Sequence, residues 1–241
     1  MTKLYTFGEM KQLLNAKLEN IRPNTLIRGF SIDSRNINEG DLFFCIKGEN
    51  KDGHHYISQS LEKGAIGIVA NKRNIPDSLK KSDLPCIFVP DPNKALMKWA
   101  ADVRNKFNGK VLAITGSNGK TSTKDILASL CSFLDPMAHA TPGNYNNLIG
   151  VPLTILSSSN KSKWWIIEIG TNKFGEIAEL SNIVRPNAAI ITSIGESHLE
   201  FLENTVGVAK EKSGLFKGMR PGSRVVIPHS LMHKEMVEHF A

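Results

Sequence analysis

The sequence predicts an α/β protein: a small first α/β domain, then a second domain built on a mainly parallel sheet. Three observations predict it. Helical and strand signals alternate along the whole chain. The apolar runs at 111–115, 164–169 and 188–194 are continuous and strand-length, as expected for parallel strands covered on both faces. Pro90-Asp-Pro-Asn93 punctuates the pattern, because proline cannot continue a strand ladder and Asp91 or Asn93 can cap a following helix. A break near residue 90 gives domains of 1–89 and 90–241.

The elements follow in order. Thr6-Phe-Gly-Glu9 has the spacing of a capping box and opens a short helix to about Leu14. Strands are expected at 29–33 and at 41–46, the second closed by Gly48. A helix from about Tyr56 ends at Gly64 as a left-handed cap. Strands at 65–70 and 86–89 complete the first domain. A helix at 94–104 leads into the strand at 111–115. After the glycine-rich turn, a helix places Ile126, Leu127, Leu130, Phe133 and Leu134 on one face. A last helix is expected at 205–216.

Composition narrows the class. The chain has 241 residues, of which 41% are apolar, enough for a real core. No repeat or low-complexity tract interrupts it. Its start lacks the apolar core of a signal peptide, and no apolar run is long enough for a transmembrane helix. Cys45, Cys86 and Cys131 lie far apart in apolar settings. They read as reduced thiols of a cytoplasmic protein, not as a disulfide frame or a zinc site. The net charge of +7 is scattered, with no Lys/Arg block of the kind nucleic acid demands. It suits a solvated surface or anionic small ligands.

The most informative stretch is Thr115-Gly116-Ser117-Asn118-Gly119-Lys120-Thr121-Ser122, between an apolar strand and a helix. Glycines let backbone N–H groups approach phosphate oxygens, and the helix N-terminus favours their charge. Lys120 can reach the β- and γ-phosphates of ATP, and the Thr121 hydroxyl can ligate Mg²⁺. Ile114 stands where the usual pattern has its first glycine, leaving Gly-x-x-Gly-Lys-Thr.

Two more groups fall at strand ends, where parallel sheets bind ligands. Glu168 closes the run Trp164-Trp-Ile-Ile-Glu168 and, in so apolar a setting, calls for a partner such as Mg²⁺. His198 follows the run at 188–194. On the last helix, Lys212 shares a face with Val208, Leu215 and Phe216, whereas Lys210 points away. Burial lowers a lysine's pKa and frees its amine; the bland alternative is a snorkelling side chain.

Thr-Gly-Ser-Asn-Gly-Lys-Thr resembles the ATP loop of the Mur ligase family. Thr141-Pro-Gly-Asn144-Tyr-Asn146-Asn147 and Glu168-Ile-Gly-Thr-Asn172-Lys-Phe-Gly-Glu176 resemble signatures of its D-alanyl-D-alanine-adding branch. Ser31-Ile-Asp33-Ser34-Arg35, with Asp41-Leu-Phe-Phe-Cys-Ile-Lys-Gly48, is similar to the family's UDP-binding domain. The resemblance implies an ATP- and Mg²⁺-dependent amide ligase of peptidoglycan synthesis, acting in the cytoplasm on UDP-N-acetylmuramoyl-tripeptide and D-alanyl-D-alanine. Its catalytic residues would be Lys120, His198 and Lys212. Gly116 to Ser122 and Asn144 would hold nucleotide. Thr121, Glu168, His198 and a carbamylated Lys212 would hold metal. Ser34, Arg35, Asn146, Asn147 and Asn172 would bind substrate. For Ser34 and Arg35 the structural alternative is an Asp33–Arg35 loop network.

The resemblance also implies that a third ligase domain lies outside this chain and that the central domain normally runs past Ala241. Rival readings are a diaminopimelate- or lysine-adding relative, a folate-type relative, and a binding module that holds nucleotide or UDP-precursor without ligating. No nucleic acid or membrane insertion is expected.

Overall fold

A computed structural model of the chain describes residues 4–48, 50–159, 161–197 and 199–241. Two compact units result, one running to Asp102 and the other from Val103 to Ala241.

The first unit opens with β1 (Tyr5–Thr6), α1 (Phe7–Leu14), β2 (Lys17–Glu19) and β3 (Leu26–Ile27). The expected capping box forms: Thr6 Oγ1 accepts from the Glu9 amide at 3.2 Å, and Glu9 Oε2 accepts from the Thr6 amide at 2.9 Å. Next come β4 (Gly29–Ser31), β5 (Asp41–Phe44), α2 (Ile57–Glu62), β6 (Gly67–Ala70) and β7 (Cys86–Phe88). The sheet order is β2-β7-β6-β5-β4. Strands β4 to β7 are parallel, and β2 adds to β7 antiparallel.

Successive residues of β5 face opposite sides of this sheet. Phe43 packs with Ile57, Ile68 and Cys86 on one side. Phe44 stacks on Trp99 at 5.7 Å, and Tyr5 and Phe30 meet the same indole edge-on. Trp99 belongs to α3 (Pro92–Lys106), and Tyr5 Oη donates to Asp102 at 2.6 Å. These contacts place most of α3 in the first unit, so the division between the compact units falls within this helix.

The second unit contains β8 (Lys110–Thr115), α4 (Lys120–Leu134), β9 (His139–Ala140), α5 (Gly150–Ser157), β10 (Trp164–Glu168) and α6 (Glu176–Val184). It continues with β11 (Ala188–Ile191), α7 (Leu199–Leu202), α8 (Thr205–Ser213), β12 (Arg224–Val226) and α9 (Lys234–His239). Its sheet is wholly parallel in the order β12-β11-β8-β10-β9. The continuous apolar runs are its three central strands. Trp165 is fully buried and lies flat on Phe107 with ring centres 3.7 Å apart. No helix among the described residues is long and apolar enough to cross a membrane.

The apolar stripe read on α4 is a correction. The face that meets the sheet carries Lys124, Leu127 and Cys131, with Cys131 packed among Ile114 and Ile166. Ile126, Leu130, Phe133 and Leu134 are exposed, Phe133 by 83% and Leu134 by 73%. Lys124 reaches inward from this face to the Thr141 carbonyl at 3.2 Å, and at about 100° per residue it lies about 80° from Leu134 and about 120° or more from Ile126, Leu130 and Phe133. Phe133→Asp is therefore expected to shift stability by less than ~0.5 kcal/mol, as at an ordinary surface site. Thermal unfolding checks this; a loss of ~3 kcal/mol, typical of a buried phenylalanine, would show that the stripe is core.

Candidate active site

The phosphate loop leaves the C-terminal end of β8, the central strand. Two glycines shape it. Gly116 has φ +154°, and a Cβ there would lie 1.9 Å from Thr192 Oγ1. Gly119 has φ +83° and opens α4 without any side-chain cap. The segment after β11 braces the loop. Thr192 Oγ1 donates to the Asn118 carbonyl at 2.6 Å, Ser193 Oγ accepts from the Asn118 amide at 2.8 Å, and the Ser117 amide donates to the Ser193 carbonyl at 2.9 Å. Sequence reasoning missed Thr192 and Ser193, which fell inside the strand expected at 188–194; the strand itself stops at Ile191.

Lys120 folds back over the loop and donates to the carbonyls of Gly116 at 2.7 Å and Ser117 at 3.2 Å. Burial pushes its pKa down, while the nearby Glu168 carboxylate pulls the other way. These carbonyl contacts hold the ammonium beside the place where phosphate would sit.

Glu168 ends β10 opposite Ile114 of β8, so the parallel register sets it beside the loop. It is 1% exposed. Its Oε2 accepts from Thr121 Oγ1 at 2.9 Å and its Oε1 from Asn146 Nδ2 at 2.8 Å. Its own amide donates to Thr141 Oγ1 at 2.9 Å. A buried carboxylate needs such partners. The structure thus brings together three residues singled out separately in the sequence: Thr121, Glu168 and Asn146.

The donor set fits Mg²⁺. Among the described residues, no three His, Cys, Asp or Glu side chains gather into a self-sufficient metal cage. One carboxylate beside one threonine hydroxyl matches an ion that keeps waters and shares phosphate oxygens. His198 lies outside the described residues.

Lys212 is 3% exposed on α8, beside buried Val208, Leu215 and Phe216, while Lys210 is exposed. Burial first, then the charge of Lys120, lower its pKa to about 8; Glu211 opposes the shift. Glu211 was missed altogether. Its carboxylate accepts from the Gly175 amide at 2.6 Å and the Ile177 amide at 2.9 Å, satisfying the N-terminus of α6.

Of the other candidates, Asn147, Asn172, Ser34 and Arg35 have partners within the fold. Asn147 Oδ1 accepts from the amides of Gly150 and Ile149 at the start of α5. Asn144 and Ser122 are exposed, and Asn172 gives its backbone amide to Glu176. In the first unit, Ser34 Oγ donates to Gln59 Oε1 at 2.6 Å. Arg35 forks onto Asp33, with Nη2 to Oδ2 at 2.7 Å, and these hydrogen bonds hold the Asp33 carboxyl down at about 2. The Asp33–Arg35 network is present, with the guanidinium at the surface.

Residues 114–240 match the Mur ligase middle domain, and residues 26–104 match the Mur ligase family catalytic domain. The chain belongs to the Mur ligase family. It is 35% identical over 233 residues to the UDP-N-acetylmuramoyl-tripeptide–D-alanyl-D-alanine ligase of Haemophilus influenzae, covering 94% of this chain and 49% of that one. Its fold matches a crystal structure of MurF from Acinetobacter baumannii with a TM-score of 0.91 at 30% identity, over 100% of this chain and 52% of that one. MurF of Thermotoga maritima, solved in complex with ADP, matches with a TM-score of 0.78 at 29% identity, over 89% of this chain and 49% of that one. This Mur ligase chain thus spans about half the length of the relatives it matches, corresponding to their N-terminal and middle parts.

Proposed function

We propose that this chain carries the UDP-precursor-binding and ATP-binding parts of the ligase that joins D-alanyl-D-alanine to UDP-N-acetylmuramoyl-tripeptide in the cytoplasm. The observation that carries the reading is the phosphate loop with Thr121, Asn146 and Glu168 meeting at the C-terminal ends of β8 and β10. The ADP complex of the T. maritima relative supports a nucleotide there. In this reading the peptide carboxylate attacks the γ-phosphorus, the bond to ADP breaks, and an acyl phosphate forms. The dipeptide amine then attacks the acyl carbon, loses a proton and displaces phosphate.

The chain's own residues have separable tasks. The amides from Gly116 to Thr121 cradle phosphate, and Lys120 turns from the loop carbonyls to the β- and γ-oxygens. Thr121 and Glu168 would hold Mg²⁺, which when bound would supply charge neutralisation for the phosphoryl group. With its pKa lowered to about 8, Lys212 holds a larger neutral fraction than an ordinary lysine, and that neutral amine could take CO₂, releasing a proton and leaving a carbamate that would face the metal site. Arg35 is the candidate for the UDP diphosphate, since a surface guanidinium can trade its Asp33 partner for phosphate.

Calorimetric titration with UDP-N-acetylmuramoyl-tripeptide, Mg·ATP and a folate control tests this. The UDP-peptide is expected to bind, about tenfold weaker in Arg35→Ala, with no folate binding. Folate binding without UDP-peptide binding would overturn the substrate assignment. A chain that bound both ligands yet gave no ligation when supplied with the remaining half of the H. influenzae relative would instead be a module that binds without ligating.

A further inference from the structure

Lys124 is 4% exposed, yet nothing in the proposed chemistry uses it. A buried ammonium is costly, and an apolar residue would pack this face of α4 more cheaply. Its Nζ donates to the Thr141 carbonyl at 3.2 Å and pairs with Asp125 at 2.9 Å. Thr141 is a junction. Its amide donates to the Ile166 carbonyl at 3.0 Å, and its Oγ1 accepts from the Glu168 amide at 2.9 Å. Further along the same segment, Asn146 Nδ2 donates to Glu168 Oε1 at 2.8 Å, and the Asn146 carbonyl accepts from the Gly170 amide at 2.7 Å. The segment from Thr141 to Asn146 therefore grips Glu168 by its main chain and by its carboxylate. Thr121, one turn before Lys124 on the same helix, holds the other carboxylate oxygen.

We propose that Lys124 is a positioning residue for the metal-holding carboxylate: it latches the Thr141–Asn146 segment to α4, so that one helix sets both oxygens of Glu168. Thr121 sets one directly and Lys124 sets the other through the segment. The inference rests on the reading of Glu168 as the Mg²⁺ carboxylate. It separates Lys124 from Lys120, which faces the phosphates, although the two lie one turn apart.

The test uses the full chain, with ADP titrated by calorimetry in Mg²⁺ and in EDTA, and amide exchange followed at Glu168 and Gly170. Lys124→Met is expected to weaken Mg·ADP binding about tenfold and ADP binding in EDTA less than about twofold. Exchange at Glu168 and Gly170 should quicken while Val111 and Ala113 stay protected, and Lys124→Arg should restore most of the Mg²⁺ effect. Equal losses in both conditions, or unchanged exchange at Glu168, would overturn the proposal.

If the unaltered chain binds no Mg·ADP, the nucleotide reading fails by itself. The exchange measurement then decides whether the latch exists. Should Lys124→Met not fold, Lys124→Gln keeps a polar head on a shorter stem that falls short of the Thr141 carbonyl. It should give the same Mg²⁺-specific loss, and its failure to do so would count against the latch.

Discussion

Lys120→Ala is expected to weaken Mg·ATP binding by roughly a hundredfold or more and to abolish turnover wherever the chain works in a complete ligase. The size follows from the site. The ammonium is half-buried at the head of α4, held by the Gly116 and Ser117 carbonyls, with burial already pushing its pKa down. Phosphate oxygens offer this strained charge a far better partner than two neutral carbonyls. Removing one member of a buried, charge-assisted contact costs about 2–5 kcal/mol in binding. Lys120→Arg should not rescue it, because a planar fork cannot take the place of a compact ammonium inside so tight a loop. The fold should survive, since the lost bonds are to loop carbonyls and the helix keeps its Leu127 and Cys131 contacts. Calorimetry with Mg·ATP reads the outcome, and unchanged affinity in a folded Lys120→Ala variant would remove the phosphate-loop assignment.

The loop was legible because its chemistry is contiguous: two glycines, a lysine and a threonine follow one another between an apolar strand and a helix. Glu168 was legible for a different reason. A lone carboxylate in an apolar run must be paired, and the end of a parallel strand tells where. What was not legible depends on contacts distant in sequence. Glu211 serves the start of α6 across 34 positions, and nothing in Lys210-Glu211-Lys212 announces that. Thr192 and Ser193 brace the loop from the strand next door. Periodicity grouped five residues of α4 on one face, but the sheet takes an adjoining face that shares only Leu127 with that group and carries Lys124 and Cys131 instead. The two- and three-residue strands β3, β9 and β12 are too short to show any period. The structural role of Asn147 at α5 was hidden by its position three residues before the helix.

Glu168→Gln should separate the metal from the nucleotide. Glutamine keeps the volume, and its carbonyl can still accept from Thr121 or Asn146, though not from both as the carboxylate does. The charge is lost, and with it the anionic ligand that Mg²⁺ requires. In the unaltered chain Mg²⁺ should strengthen ADP binding; in Glu168→Gln that gain is expected to shrink by about tenfold or more. Without metal the sign reverses. A buried negative charge beside the phosphate site repels the nucleotide, so its removal should leave ADP binding in EDTA equal or tighter. A general unfolding of the site cannot give this pattern, because it would weaken both. Nor should the variant be less stable by much: exchanging a buried carboxylate for a neutral isostere relieves desolvation while one hydrogen bond is lost, and the two terms oppose each other. If Mg²⁺ strengthens ADP binding as much in Glu168→Gln as in the unaltered chain, Glu168 is a structural tie between α4 and the Asn146 segment, and the metal sits elsewhere.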